Sequence, residues 1–362
     1  MLSKNSLLKT IEKLTSAVAP SGFENEVKNI VVSELKPYAD NLWIDTFGNV
    51  IAVKKGVRGG GKIMLVAHMD EMSFVITDID ENGFIRFATT NDWNRNILLG
   101  QRVIILTKDF KKIRGVIGYR SSCSERNEYG EVKDIFIDIG ASNAKEVKEL
   151  GIEPGCMAIL DNELIKLTND IISSRALDDR AGLAIMIEIF KNIDNVELDI
   201  YAVATVQEKM GLKGSKIASS SISPQIAIVL DTTRATDVSE KENIQRIQLG
   251  KGAVIKVFGK ERNGVFITHQ AIKELLVTIA EEEEIPYQVE IGIENVIDIP
   301  IIDLSKEGVL VSVVSIPVRY FNSSIEIANL NDIVSASKIS IASIRKITSE
   351  WIEKYLVRKL VD

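Results

Sequence analysis

Four short stretches hold the side chains best suited to chemistry. Asp178 and Asp179 stand at the mouth of an apolar run, Leu183 to Ile193, whose pattern is helical. A carboxylate in the first turn of a helix faces unpaired backbone N–H groups and the positive end of the helix dipole, so it stays ionised and can grip a cation. On that stretch alone, capping is the commoner role. The other three stretches change the balance. His68 and Asp70 follow the apolar run Ile63 to Ala67, Glu208 follows Ile200 to Val206, and Asp231 follows Ile226 to Leu230. The chain has 2 histidines in all, and one of them stands at such a tip. Imidazole with two carboxylates suits Zn²⁺ or Co²⁺ and leaves a position open for water. Asp70, two residues past His68 on the same side of an extended segment, is placed to orient the imidazole. Glu208 is then the general base, a nearby carboxylate that does not itself bind the ion. The plain structural alternatives are a turn residue for Asp70 and an ordinary strand-end acid for Glu208.

The surrounding pattern supplies the elements that must position these groups. Leu7, Ile11, Leu14 and Val18 predict a helix that ends at Ala19-Pro20-Ser21-Gly22, with a second helix from about Glu24. Ile63 to Ala67 reads as a buried strand with a polar tip. From Ser73 to about Glu163 short strands are separated by Gly, Asn and Asp, which reads as a small all-β module. The expected organisation is an α/β domain over 1–72 and 164–362 with a β-rich domain inserted at 73–163. Beyond the insert, helix is predicted for 178–193, 212–220, 268–284 and from about Asn331, alternating with strands near 199–206, 225–230, 254–258, 287–291 and 309–315. This alternation predicts a mostly parallel twisted sheet covered by helices on both faces. Ligands of such sheets bind beyond the carboxyl ends of the strands, where His68, Asp70, Glu208 and Asp231 fall.

Composition narrows the class. With 362 residues, 45% of them hydrophobic, the chain can bury a sizeable core. A net charge of -7 without a basic stripe argues against a nucleic-acid partner. The 2 cysteines, Cys123 and Cys156, are far apart and form no ligand-spaced motif, so a disulfide framework is not expected. No apolar run reaches membrane-spanning length and Met1-Leu2-Ser3-Lys4 does not open a signal sequence, so the expected location is cytoplasmic, without a membrane partner. His269 reads as a helix-end residue, Glu281 to Glu284 as a solvated helix face, and Trp43, Trp93 and Trp351 form no sugar-binding platform. The loop Asn91 to Asn96 is a candidate interface segment.

Taken together, Ala19-Pro20-Ser21-Gly22-Phe23-Glu24, Asp45-Thr46-Phe47-Gly48-Asn49, Val66-Ala67-His68-Met69-Asp70-Glu71, Ala176 to Gly182, Val206-Gln207-Glu208, Leu230-Asp231 and Ile316-Pro317-Val318-Arg319-Tyr320 resemble the tetrahedral or glutamyl aminopeptidases. These are co-catalytic metallopeptidases, some of whose relatives are labelled cellulase M or endoglucanase. The likeness runs through essentially the whole chain. It implies that His68 and Asp231 are private ligands of one metal, that Asp178 bridges two metals, that Glu208 is the base and that Asp70 supports His68. It also implies that the β insert is a dimerisation domain and that dimers build a large hollow particle. Three departures stand out. The family's second glutamate after the base is Lys209 here, its histidine after the Arg-Tyr-aliphatic stretch is Asn322, and its Thr-Asp-Ala segment is replaced by Asn295 to Pro300, where only Asp298 matches. Lys209 and Asn322 leave one metal half-site degenerate. The expectation is therefore one divalent ion, zinc or cobalt, with the second site empty and the Lys209 ammonium near the vacated place, paired with Asp178 or Glu208. The expected activity is release of amino-terminal residues from short peptides, impaired or run with a single metal. The alternative is a catalytically silent homologue with a structural or peptide-binding role in a large oligomer. Glucan hydrolysis ranks below both, because the candidate acids converge with a histidine on a cation site and do not flank a sugar ring.

Overall fold

The computed structural model describes residues 3–90, 93, 97–119, 135–238, 246–261, 264–292, 302–306 and 308–356. Cys123, Asp298 with the rest of 295–300, and the loop Asn91 to Asn96 apart from Trp93 lie outside them. Two bodies of structure are built from the described chain, a 12-stranded sheet with helices on both faces and a closed barrel.

The sheet is mixed, which corrects the expectation of a mostly parallel one. Four strands at its centre run parallel, in the order Asp199–Thr205, Lys62–His68, Ile226–Arg234 and Leu310–Arg319. Outside them Val50–Lys54 arrives from a tight turn after Asn41–Ile44, so it pairs antiparallel with both its neighbours. On the opposite flank the short strands Glu326–Asn329, Ile171–Ser174 and Ile165–Lys166 are all antiparallel. Ala253–Glu261 runs antiparallel to Leu310–Arg319 and parallel to Tyr287–Gly292. An apolar run shows that a strand is buried on both faces but carries no direction, and the flanking strands are too short to register as periodic. Those same short strands are the elements the pattern missed.

Alternation along Lys62–His68 separates the two sides of the sheet. Ile63, Leu65 and Ala67 join a core shared with the helices Lys4–Ser16, Asn25–Leu35, Leu177–Asn192 and Leu330–Lys346. Met64 and Val66 pack on the other side with Ala218 and Ile222 of the helix Lys213–Ile222. His68 therefore belongs to the Val66 side. The helix Leu177–Asn192 has almost no exposed face, because it is pressed between the sheet and three other helices, and it is accordingly apolar nearly all round. Gly182 is required there. A Cβ at this position would collide with the Asp179 carboxylate and the Leu230 carbonyl.

The barrel takes its six strands from between Phe74 and Leu160, all paired antiparallel. Its interior is filled by Phe74, Ile76, Ile85, Phe87, Val103, Ile105 and Ile137, with the Phe74 ring 5.1 Å from both Phe87 and Trp93. Closure leaves none of these strands with a free edge. No described helix is long and apolar enough to cross a membrane.

The last long helix carries a titratable joint. Asp332, in its first turn, accepts hydrogen bonds from the Gly250 and Gly252 amides, each 2.7 Å away. Burial outweighs those two amides and pushes its carboxyl up to about 6. A folded-state pKa above the unfolded value of about 3.9 means that the contribution to stability is full below about pH 4 and is lost as pH rises to about 6, on the order of 2–3 kcal/mol. Thermal melts between those pH values should show wild type losing stability relative to Asp332→Asn. Parallel pH profiles of the two proteins would contradict this.

Candidate active site

Each candidate side chain is delivered by backbone that something else holds. The Glu208 turn shows this most clearly, because its four successive amides are caught by side chains from three distant segments. Val206 N donates to Asn49 Oδ1 at 3.0 Å and Gln207 N donates to Glu24 Oε1 at 3.1 Å. Glu208 N and Lys209 N donate to the two oxygens of Asp70, at 2.9 and 3.0 Å. Asn49 is itself held by Asp45, whose Oδ1 accepts from the amides of Phe47, Gly48 and Asn49. Three of the sequence stretches quoted above thus act as clamps on this turn.

Asp70 supports His68 chiefly through its main chain. The His68 ring is oriented by the Asp70 main-chain oxygen, 2.8 Å from Nδ1, whereas the Asp70 carboxylate lies 3.5 Å from that nitrogen and serves Ser21 and the Glu208 turn. With Nδ1 donating to a carbonyl, Nε2 is the ring nitrogen turned into the site. Nε2 is buried, has no hydrogen-bond partner, and faces Asp178 Oδ1 at 3.5 Å and Glu208 Oε2 at 3.6 Å. Burial alone would lower the imidazole pKa, but Glu208, Asp178 and Asp70 outweigh it and hold it well above the ordinary value.

The acidic pair divides its labour. Neither Asp178 nor Asp179 has helical backbone angles, so both stand in front of the helix they precede. Asp179 is the cap, accepting from Gly182 N at 2.8 Å and from His68 N at 3.2 Å. Asp179 nevertheless keeps a carboxylate oxygen within 4.8 Å of the His68 and Asp231 donors, and Asp178 Oδ1 lies 3.5 Å from His68 Nε2. Asp178 Oδ1 accepts from Thr232 Oγ1 at 2.9 Å and Asp178 Oδ2 lies 2.7 Å from Lys209 Nζ. Lys209 Nζ also lies 3.2 Å from Glu208 Oε2. Although burial opposes its charge, Asp178, Glu208 and Asp231 hold the ammonium pKa well above the usual lysine value.

Asp231 is not past the end of its strand, as its run of neighbours implied. Ile226–Arg234 continues to pair with Leu310–Arg319, while its ladder with the His68 strand stops at Val229 and Val66. Two residues beyond that last pair, Asp231 and His68 stand level. Burial, followed by the nearby Asp178 charge, raises the Asp231 carboxyl to about 7. Donor atoms of His68, Asp179 and Asp231 lie within 4.8 Å of one another, as do those of His68, Asp70 and Glu208.

Two cavities flank the cluster. One, large enough for only a water molecule or two, lies beside His68 and Asp231 and is walled by Val66, Leu212, Val229 and Ile302. The other, equally small, lies on the Asp178 side beside Arg175, Asn322 and Glu326. Glu326 escaped the sequence reading because it belongs to a four-residue strand with no apolar run to mark it. It is buried, accepts from the amides of Asp178 and Asn322 at 3.0 and 2.9 Å, and is pushed up to about 8 by burial and by Asp178. Thr232 and Glu326 are therefore additions to the site. The Asn322 Oδ1 is buried without a hydrogen-bond partner.

The donor chemistry fits a divalent ion. A buried imidazole nitrogen that faces only acceptors leaves a gap that a cation satisfies, and Asp178 and Asp231 supply the negative charge. On the Asp178 side Lys209 puts an ammonium on Asp178 Oδ2, and Asn322 offers a neutral buried oxygen.

Comparison with known proteins places the chain among peptidases. The model of the M42 glutamyl aminopeptidase family matches residues 48–339. The lysyl aminopeptidase of Pyrococcus furiosus is 31% identical over 344 residues, covering 93% of this chain and 96% of that protein. An aminopeptidase from the archaeon Desulfurococcus kamchatkensis superposes with a TM-score of 0.93 at 40% identity, covering 98% of each chain. The TET1 peptidase of Pyrococcus horikoshii, which can assemble into a tetrahedron or a large octahedral shell, gives a TM-score of 0.82 at 28% identity over 94% of this chain and all of that one.

Proposed function

The chain belongs to the M42 glutamyl aminopeptidase family, and from that premise we propose that it releases amino-terminal residues from short peptides with one divalent ion, zinc or cobalt, held by His68, Asp178 and Asp231. The observation that carries this reading is the buried His68 Nε2, left without a hydrogen-bond partner opposite the Asp178 and Glu208 carboxylates. An ion bound there supplies Lewis acidity toward a peptide carbonyl. The protein's own groups do the rest. The Asp70 carbonyl keeps the proton of His68 on Nδ1, so that Nε2 remains a donor of its lone pair. Glu208, fixed by Asp70 through its amide, takes a proton from the attacking water and returns it to the leaving amine.

A second reading has its own support. Lys209 Nζ beside Glu208 stabilises the ionised carboxylate and weakens it as a base, which favours slow turnover or a silent, peptide-binding homologue. One experiment separates the two. Metal content of the purified protein should be one zinc or cobalt per chain, with cleavage of aminoacyl chromogenic substrates that stops on chelation and returns with metal. An ion bound without any cleavage would leave the silent reading, and no ion at all would remove the one-metal enzyme.

The barrel over 74–160 is proposed as the dimerisation piece of a homo-oligomer, which the particle mass in solution tests. Exposed Val116 and Tyr119 on one barrel strand support that role, as does the assembly of the Pyrococcus horikoshii relative. A cytoplasmic location is part of the same reading and rests on the cysteine usage.

A further inference from the structure

We propose that the Lys209 ammonium is the second cation of this site, tethered to the chain where a relative would bind another metal ion, and that it limits each chain to one ion. This deepens the one-ion reading above and rests on it. Three independent features put the charge there. The backbone of residue 209 is pinned by Asp70, so the side chain enters the cluster from a fixed origin. Its Nζ lies 2.7 Å from Asp178 Oδ2 and 3.2 Å from Glu208 Oε2, bridging the two acids. The Phe321 ring stands 5.9 Å from Nζ, and only 11% of the Lys209 side chain is exposed.

Asn322 lines the cavity that Asp178 also lines, and its buried Oδ1 has no hydrogen-bond partner. A neutral amide there neither repels the ammonium nor provides the charge that a divalent ion requires. An ion on Asp178 Oδ2 would lie against a like charge, with one anionic ligand replaced by a cation and another position left neutral. The tethered ammonium does part of an ion's work. It holds Asp178 and Glu208 in place and neutralises one of their charges, and its occupancy does not depend on metal supply.

Zinc titration by calorimetry, with metal content measured on the same samples, tests the proposal without reference to turnover. Wild type should take one equivalent and the Lys209→Glu/Asn322→His double variant two. Lys209→Met should still take one, bound at least 10-fold more tightly because the neighbouring like charge is gone. Two equivalents in wild type would overturn the proposal, as would a folded double variant that stays at one. Should the double variant fail to fold, an unchanged zinc affinity in Lys209→Met would overturn it instead. Wild type without zinc, beside a Lys209→Met variant that gains one equivalent, would sink the one-ion reading yet uphold the blocking role of Lys209. Absence of zinc from both would remove the two together.

Discussion

Glu208→Gln is expected to lower aminoacyl-substrate turnover by about 10²- to 10⁴-fold, the contribution of a positioned general base, with ion content unchanged. The substitution is nearly isosteric. The Glu208 amide stays on Asp70, so the turn keeps its place, and His68, Asp178 and Asp231 keep their donor atoms. What is lost is one proton acceptor, 3.6 Å from His68 Nε2 and 3.2 Å from Lys209 Nζ. The loss should appear in kcat more than in KM, because the carboxylate acts on the water and not on the resting substrate. Equal turnover in wild type and variant, at equal zinc content, would take Glu208 out of the chemistry.

How much of this was legible beforehand depended on the kind of signal. Apolar runs of strand length ending in a polar tip marked His68 and Glu208, because a buried central strand must end where the chain reaches solvent. The Asp231 run gave the right residue for an incomplete reason, since its strand pairs on through Arg234. Asp178 and Asp179 could not be separated by sequence, as both are acids at a helix mouth. Only the donors around them, Gly182 N for one and Thr232 Oγ1 for the other, assign the cap and the site group. The role of the Asp70 main-chain oxygen left no trace at all, because every residue has one. Sheet direction was misjudged because an apolar run carries no direction: the nine-residue strand Ala253–Glu261 reads like its neighbours yet pairs antiparallel with Leu310–Arg319.

Glu71→Ala is expected to cost about 3–5 kcal/mol of stability, the usual result of removing one partner from a buried ion pair. Glu71 lies between two arginines, and all three are buried. One carboxylate oxygen accepts from Arg175 Nη1; the other accepts from Arg180 Nη2 at 3.0 Å and from Ala19 N at 2.9 Å. The arginines in turn cap the end of the first helix. Arg175 reaches the carbonyls of Thr15 and Ala17 at 2.9 and 3.1 Å, and Arg180 reaches Leu14 O at 3.2 Å and the carbonyl of Met69. Without Glu71, two guanidiniums would remain in a low-dielectric interior with no counter-charge among these partners. Denaturant melts give the comparison directly. A loss below about 1 kcal/mol, the range of an exposed pair, would show that this network is solvated in solution.

The clamped turn has an evolutionary consequence. Its amides are gripped by Asn49, Glu24 and Asp70, none of which depends on the identity of the residue at 209. The backbone there behaves as a socket, and whatever side chain is plugged in at 209 is carried to the same point with the same aim. Lysine and glutamate codons differ by a single base. One point mutation, absorbed without any rebuilding of the scaffold, therefore reverses the sign of the charge offered at that spot.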